Sequence, residues 1–297
     1  MAFLNRGAWF TPVVRGIVPD TLAPVVGIVS HLGDPFFLVG VLVCLYWFGD
    51  RERGIRAMGI GVGALALVVV CKELLLVPRP TVGPPVPPET LPSLLRPSYQ
   101  LAAESDGYAI PSGHSLGSTV VYGLLALRAT SLRLRVAAGG LVGSICLARV
   151  YLGAHYLGDV VVGASLGLVF LAVTCRLLAD RPPHVALWTA TAIAALAVVV
   201  APASADAVTL LGGLVGASLG WSRFSVPHDP WPMSLAVVVP VAAAGLVGVL
   251  GIGVLVVVQS SLVLVVVAAA SIGFVVALPA LSALSPTGAS TPRRSQR

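Results

Sequence analysis

Long runs of apolar residues alternate with short polar connections along nearly the whole chain. A helix needs about 20 apolar residues to cross a bilayer, within a range of about 17–25. Several runs approach this length, and polar residues, prolines or glycines separate them. The pattern therefore predicts nine candidate membrane helices, with ends defined to within a few residues, at 34–49, 57–77, 113–128, 135–150, 157–177, 185–203, 207–221, 234–255 and 262–282.

The two ends of the chain depart from this pattern. Residues 8–31 are apolar but are interrupted by three prolines, which disfavour a continuous helix. We therefore expect 1–33 to be an interfacial or partly inserted segment, and the number of spans within it stays open. At the other end, 283–297 is rich in Ser, Thr, Pro and Arg and is predicted to be a disordered basic tail.

The composition supports a membrane protein. Hydrophobic residues make up 57% of the 297 residues and charged residues 10%, whereas a typical soluble domain carries about 25% charged residues. The mean hydropathy is +0.97. These values exclude an intrinsically disordered chain, a coiled coil and a soluble enzyme. The net charge is +6. The charged residues lie between the apolar runs, so their distribution indicates membrane topology and no nucleic-acid partner.

Arginines are grouped in alternate connections. If the candidate spans are correct, all these groups lie on one side of the membrane, and the positive-inside rule makes that side cytoplasmic. The other side then holds the longest connection, 78–112, and the short stretch 151–156. Long connections of this kind are usually functional or disordered. We expect a multi-pass protein of the cell membrane whose functional face lies outside the cytoplasm.

Few ionisable residues occur near membrane depth, where an ionised group costs about 2.5–3.5 kcal/mol on insertion scales. They gather at the non-cytoplasmic ends of four consecutive candidate spans. The set brings three cations, two imidazoles and carboxylates to one membrane face, and its members are Lys72, Glu73, Arg79, His114, Arg149, His155 and Asp159.

Two local patterns indicate what this cluster can bind. Ser112 stands before an apolar run and is the candidate N-cap of a helix, and a helix start is a ready site for phosphate. Gly113 would let the backbone approach a ligand. His155 and Asp159 are four residues apart, so they share one helix face, and the carboxylate can fix the imidazole tautomer. Arg149 can bind phosphate through its forked guanidinium group.

Together these groups are suited to a tetrahedral dianion. Three cations and a helix start would hold the phosphate, and two histidines remain for attack and for proton donation. The sequence has no carboxylate cluster, HExxH motif or Cys/His pair at zinc spacing. We therefore expect no metal and no cofactor, and metal-free phosphoryl transfer through a phosphohistidine.

Three segments resemble the signature motifs of the type 2 phosphatidic acid phosphatase (PAP2) superfamily in order and spacing. The resemblance covers about 57–177. One departure is Ala148, where the family usually has serine, so a hydroxyl contact to phosphate is missing there. The matching segments are Lys72-x6-Arg79-Pro80, Pro111-Ser112-Gly113-His114 and Arg149-x5-His155-x3-Asp159.

The resemblance implies an all-α fold, a polytopic transmembrane helical bundle with a PAP2-like catalytic membrane domain at 34–203. The additional C-terminal membrane helices at 204–282 are predicted from the apolar runs alone and carry no signal of this family. The resemblance also implies that His155 attacks phosphorus, that Asp159 orients His155, and that His114 protonates the leaving group and then activates water. The phosphate-binding role falls to the remaining motif residues, Lys72, Arg79, Ser112, Gly113 and Arg149.

The leading hypothesis is therefore a membrane phosphatase acting on a lipid phosphate or a polyprenyl diphosphate. A lipid phosphotransferase would use the same phosphohistidine, and some membrane members of the superfamily act on sugar phosphates. A haloperoxidase ranks low. A transporter would have ionisable groups near the membrane midplane and paired broken helices, whereas here these groups gather at one face. A purely structural protein leaves the charged cluster unexplained. The sequence leaves open which lipid is the substrate, the oligomeric state, and the role of the helices after residue 203.

Overall fold

The apolar runs form α-helices in the computed structural model, which describes residues 6–104, 106–224 and 261–283. Short polar or proline-containing connections separate the helices. Those within the described residues are α1 (Phe10–Ile17), α2 (Ala23–His31), α3 (Pro35–Phe48), α4 (Arg51–Leu75), α5 (Arg96–Ala103), α6 (Gly113–Arg128), α7 (Leu132–Tyr151), α8 (Leu157–Leu177), α9 (Pro183–Val200), α10 (Ala205–Arg223) and α11 (Ser261–Ala283).

The helix positions agree with the sequence pattern, but fewer helices than predicted have the dimensions of a membrane span. Of the helices in the described part of the chain, five are long and apolar enough, namely α4, α7, α8, α9 and 262–279 of α11, and the α1–α2 pair, bent by 89°, would make a sixth. Among the described residues, the predicted spans 34–49, 113–128 and 207–221 therefore need correction on this criterion. α3 and α6, with 14 and 16 residues, are short, and α10 does not meet both criteria. The predicted helix at 234–255 and the tail beyond Ala283 lie outside the described residues.

α4 lies at the centre of the bundle. In its most apolar stretch, 78% of the residues are buried inside the protein, against 28% for each of the other four long apolar helices. It packs against α3, α6, α8, α9 and α10. Central burial requires a helix that is apolar on all sides, and α4 meets this requirement between its polar ends. Its last turn, which carries Lys72, is thereby held in a fixed place.

The helix directions separate the two ends of the bundle. α4 and α7 run towards the end that carries Lys72 and Arg149, whereas α6 and α8 start there. At the far end, Arg56 donates hydrogen bonds to the carbonyls of Leu178, Ala179 and Arg181. These bonds satisfy acceptors left free where α8 ends. Arginine is thus concentrated opposite the predicted site.

The C-terminal helices α10 and α11 pack closely. A Cβ on Gly212 would lie 2.5 Å from the carbonyl oxygen of Val265, and one on Gly216 would overlap the backbone of Ala269. Small residues allow this close contact, which supports helix association in lipid. The backbones of α10 and α11 can meet in this way only where side chains are missing.

α3 fixes α11 to the rest of the bundle. Pro279 lies inside α11 and has no N–H, so the carbonyl of Val275 lacks its usual helical donor. The indole Nε1 of Trp47 donates to that oxygen at 3.0 Å, and the hydroxyl of Tyr46 donates to the Val276 carbonyl at 2.9 Å.

A Gly216→Ala substitution is expected to destabilise the protein. The new methyl group meets the Ala269 backbone, so the two helices must separate, at a cost of about 1–3 kcal/mol for overpacking. Thermal unfolding in detergent should show a lower midpoint. Gly140→Ala is the matched control, because nothing lies within 4 Å of a Cβ at that helical position. Equal midpoints for the two variants would contradict the close packing.

Candidate active site

Four helix ends meet at one end of the bundle and carry the predicted site residues. Lys72 lies in the last turn of α4, and Arg79 follows in the non-helical segment after it. Ser112, Gly113 and His114 start α6, Arg149 lies near the end of α7, and His155 and Asp159 lie where α8 begins. The structure therefore places all eight predicted residues at the same end.

A tight turn between α7 and α8 presents His155. Gly153 adopts a φ of +79° there, a conformation that a side chain would strain. The carboxylate of Asp159 accepts a hydrogen bond from the Tyr156 N–H at 3.0 Å, which caps α8. Its Oδ2 lies 3.6 Å from His155 Nδ1. This separation is within ion-pair range and slightly beyond a hydrogen bond.

Arg79 reaches the other nitrogen of the same imidazole. Its NH1 group donates to His155 Nε2 and to the carbonyl of Ala154, both at 3.1 Å. Nε and NH2 donate to the carbonyl of Asp106 at 3.0 and 2.7 Å. Because a guanidinium group can only donate, Nε2 must accept here. His155 thus has an unprotonated Nε2, with its proton on Nδ1 facing Asp159.

The surroundings of His155 favour the neutral imidazole. The side chain is buried, with 1% of the residue exposed. Burial and the charges of Arg149, Arg79 and Lys72 lower its pKa well below the ordinary value, and His114 acts in the same direction. These four residues therefore lie within electrostatic range of one imidazole. A neutral imidazole offers a lone pair for nucleophilic attack at neutral pH.

The start of α6 is joined to the start of α8. Ser112 is the N-cap, and its hydroxyl accepts hydrogen bonds from the backbone N–H and the hydroxyl of Ser115 at 3.4 and 3.0 Å. The N–H of Ser112 donates to the carbonyl of Asp159 at 3.1 Å. Gly113 then begins the helix against Val68 of α4. The predicted N-cap at Ser112 is therefore correct.

Arg149 and Lys72 add two further cations. Arg149 is buried, and its NH1 group donates to Ser30 Oγ at 3.0 Å and to the Ala102 carbonyl at 2.6 Å. It is thereby held by α2 and by α5. Lys72 lies within electrostatic range of Arg79, Arg149 and Asp206. Three cations thus converge on His155, as expected for a site that binds a phosphate dianion.

Four residues that the sequence reasoning missed belong to this site. Arg6 pairs with Asp159 Oδ1 at 3.0 Å, and Asp206 approaches Lys72 from the first turn of α10. Asp34 lies beside His114, whose Nε2 is 2.7 Å from Asp34 Oδ1, and His31 contacts Asp34, with its Nδ1 2.6 Å from Oδ2. Asp34 is the first residue of the predicted span 34–49, and His31 is three residues before it, so their place at the predicted end of an apolar run was a usable signal.

The side chains gathered at this site are suited to a phosphate group. Within residues 6–104, 106–224 and 261–283, no group of three or more His, Cys, Asp or Glu side chains could hold a metal ion. The cations and the two histidines together could bind a tetrahedral oxyanion, supply a nucleophile and move a proton.

Comparisons with known proteins point to the same chemistry. Residues 55–183 match the model of the PAP2 superfamily. Phosphatidylglycerophosphatase B of Bacillus subtilis (strain 168) is 31% identical over 181 residues, which cover 57% of this chain and 75% of that protein. No solved structure matches the chain significantly.

Proposed function

The chain belongs to the PAP2 superfamily and is a phosphoric monoester hydrolase, and from this premise we propose that it removes phosphate from a membrane lipid phosphate through a phosphohistidine. The similarity to a phosphatidylglycerophosphatase supports a lipid substrate. The proposed substrate class also includes polyprenyl diphosphates, which present a terminal phosphate and would release a polyprenyl monophosphate where a lipid phosphate releases an alcohol. The proposed site faces outside the cytoplasm and uses no metal.

The contact between Arg79 and His155 carries this proposal. Arg79 donates to Nε2 of His155 at 3.1 Å. Its guanidinium group is therefore next to the position that a phosphate oxygen takes when that nitrogen attacks phosphorus. An entering phosphate would take over the Arg79 N–H and leave the lone pair free. The same group thus holds the nucleophile in its reactive tautomer and binds the substrate.

The first step forms a covalent intermediate. His155 Nε2 attacks phosphorus, an N–P bond forms, and the bond from phosphorus to the lipid oxygen breaks. The proton on His114 moves to the leaving oxygen, which departs as an alcohol. Lys72, Arg79 and Arg149 neutralise the charge on the three remaining phosphoryl oxygens, and Asp159 stabilises the positive imidazole ring.

The second step restores the enzyme. Water attacks phosphorus, the N–P bond breaks, and His155 Nε2 regains its lone pair. His114, now neutral, takes a proton from the attacking water and is again ready to donate. Inorganic phosphate leaves, so the reaction consumes one lipid phosphate and one water and produces one lipid alcohol and one phosphate.

The surface beside the site supports entry from the bilayer. Leu74, Leu75 and Leu76, which begin two residues after Lys72, are 66%, 52% and 54% exposed. Apolar side chains next to a cationic pocket fit a lipid whose headgroup enters the pocket while its tail stays in hydrocarbon. The arginines at the far end support an orientation with that end in the cytoplasm.

The direct test is phosphate release from defined lipids. Purified protein should release inorganic phosphate from phosphatidic acid, phosphatidylglycerol phosphate or a polyprenyl diphosphate in the presence of EDTA, and vanadate should inhibit the reaction. The substrate panel identifies the preferred lipid, and added alcohols would reveal phosphotransfer. Loss of activity in EDTA that returns with a divalent metal would overturn the metal-free mechanism.

A further inference from the structure

We propose that Asp34 is a positioning residue that acts through His114, so that each of the two histidines works with its own carboxylate. This inference rests on the proposed function, in which His114 donates a proton to the leaving group. Asp34 lies in the turn between α2 and α3, outside the three matched motifs. Asp34 Oδ1 lies 2.7 Å from His114 Nε2.

The contact determines which nitrogen of His114 can react. An ionised carboxylate only accepts hydrogen bonds, so Nε2 carries a proton that points at Asp34. Nδ1 is then the nitrogen left for proton transfer to the leaving group. The negative charge of Asp34 also stabilises the protonated imidazole, which is the form that can act as an acid.

The turn that carries Asp34 is held against His114 from several directions. A Cβ on Gly33 would lie 2.7 Å from Cγ2 of Ile145 and 3.2 Å from Cδ2 of His114, so the turn can approach this closely only with glycine there. The hydroxyl of Tyr122 on α6 donates to the Leu32 carbonyl at 2.7 Å. The position of Asp34 is therefore fixed by packing as well as by its ion pair.

The second carboxylate oxygen of Asp34 is also engaged. His31 Nδ1 lies 2.6 Å from Oδ2, and its Nε2 lies 2.9 Å from the carbonyl of Ser98 in α5. The chain Ser98–His31–Asp34–His114 thus links the long connection to the imidazole. It prevents rotation of the carboxylate and keeps Oδ1 directed at His114.

An acid catalyst matters most when the leaving group is a poor one. The alkoxide of a lipid must be protonated as it leaves, whereas p-nitrophenolate leaves without protonation. In Asp34→Asn, which keeps the size of the side chain and removes its charge, we expect kcat/KM for short-chain phosphatidic acid to fall about 10²-fold. For p-nitrophenyl phosphate we expect less than about a threefold change in kcat/KM, since this constant ends at formation of the phosphoenzyme.

A purely structural role for Asp34 would give a different result. Equal losses on both substrates, or no loss on phosphatidic acid, would overturn the proposal. Tyr122→Phe is the control for the turn, because it removes an anchor without touching the ion pair. Its losses in kcat/KM for phosphatidic acid and for p-nitrophenyl phosphate should be equal and small.

The His114→Ala background provides a second measure. If Asp34 acts through His114, Asp34→Asn should add little to the loss that His114→Ala already causes, and independent losses would contradict this. Failure of the proposed function is distinct, because wild-type protein would then release no phosphate from any lipid phosphate. An active wild type with an unaffected Asp34→Asn variant overturns this inference alone.

Discussion

In a His155→Asn variant, we expect lipid phosphate hydrolysis to fall by about 10⁴-fold or more, the range seen when a catalytic nucleophile is removed. Asparagine fits the buried position, and it has a neutral polar side chain, so the fold should persist. It lacks an imidazole lone pair to attack phosphorus. Phosphate release from phosphatidic acid by purified protein measures the effect, and an unchanged thermal midpoint shows that the loss is chemical.

The covalent intermediate gives a more specific measurement than the rate. Wild-type protein quenched during turnover of ³²P-labelled phosphatidic acid should carry label that is stable to base and labile to acid, as expected for a phosphoramidate. His155→Asn should carry none. His184→Asn is the matched control, because His184 is exposed at the start of α9, at the far end of the bundle. Labelling that persists in His155→Asn would assign the nucleophile to another residue.

Helix positions could be predicted from sequence where both a hydrophobic run and its cap were visible. α6 and α8 coincide with the predicted spans 113–128 and 157–177, because each is a long apolar run, and Ser112 also signals the start of α6. α4 begins at Arg51, six residues before the predicted span. Asp50 caps it by accepting the Arg53 N–H at 2.8 Å, but four charged residues in the first two turns concealed this start from a criterion based on hydrophobicity.

The site could be predicted only as far as its residues follow one another in short motifs. His155 and Asp159 are four residues apart, and a helix brings such residues together without further information. Arg6 and Asp34 contact the two histidine–carboxylate pairs of the site, although both residues are far away in the chain. Local spacing in the sequence does not indicate contacts of this kind. They depend on how the segment before α3 folds back over α7 and α8, which hydrophobic periodicity does not specify.

A second large effect is expected at Arg79, even when its positive charge is kept. The guanidinium group reaches the Asp106 carbonyl through Nε and NH2, and the Ala154 carbonyl and His155 Nε2 through NH1. Lysine has one nitrogen and cannot span these acceptors. In Arg79→Lys, kcat/KM for phosphatidic acid should therefore fall about 10²–10³-fold, the usual cost of losing one oxyanion donor.

Vanadate separates the two roles of Arg79. If it binds the phosphoryl oxygens, inhibition by vanadate should weaken together with kcat/KM in Arg79→Lys, because vanadate occupies the same site. If Arg79 only held the loop at Asp106, the variant would lose stability and keep its sensitivity to vanadate. Arg135→Lys is the matched control, since Arg135 binds the Ala129 carbonyl at the far end of the bundle. Wild-type kinetic constants in Arg79→Lys would show that one positive charge suffices, and the forked geometry would then have no part in catalysis.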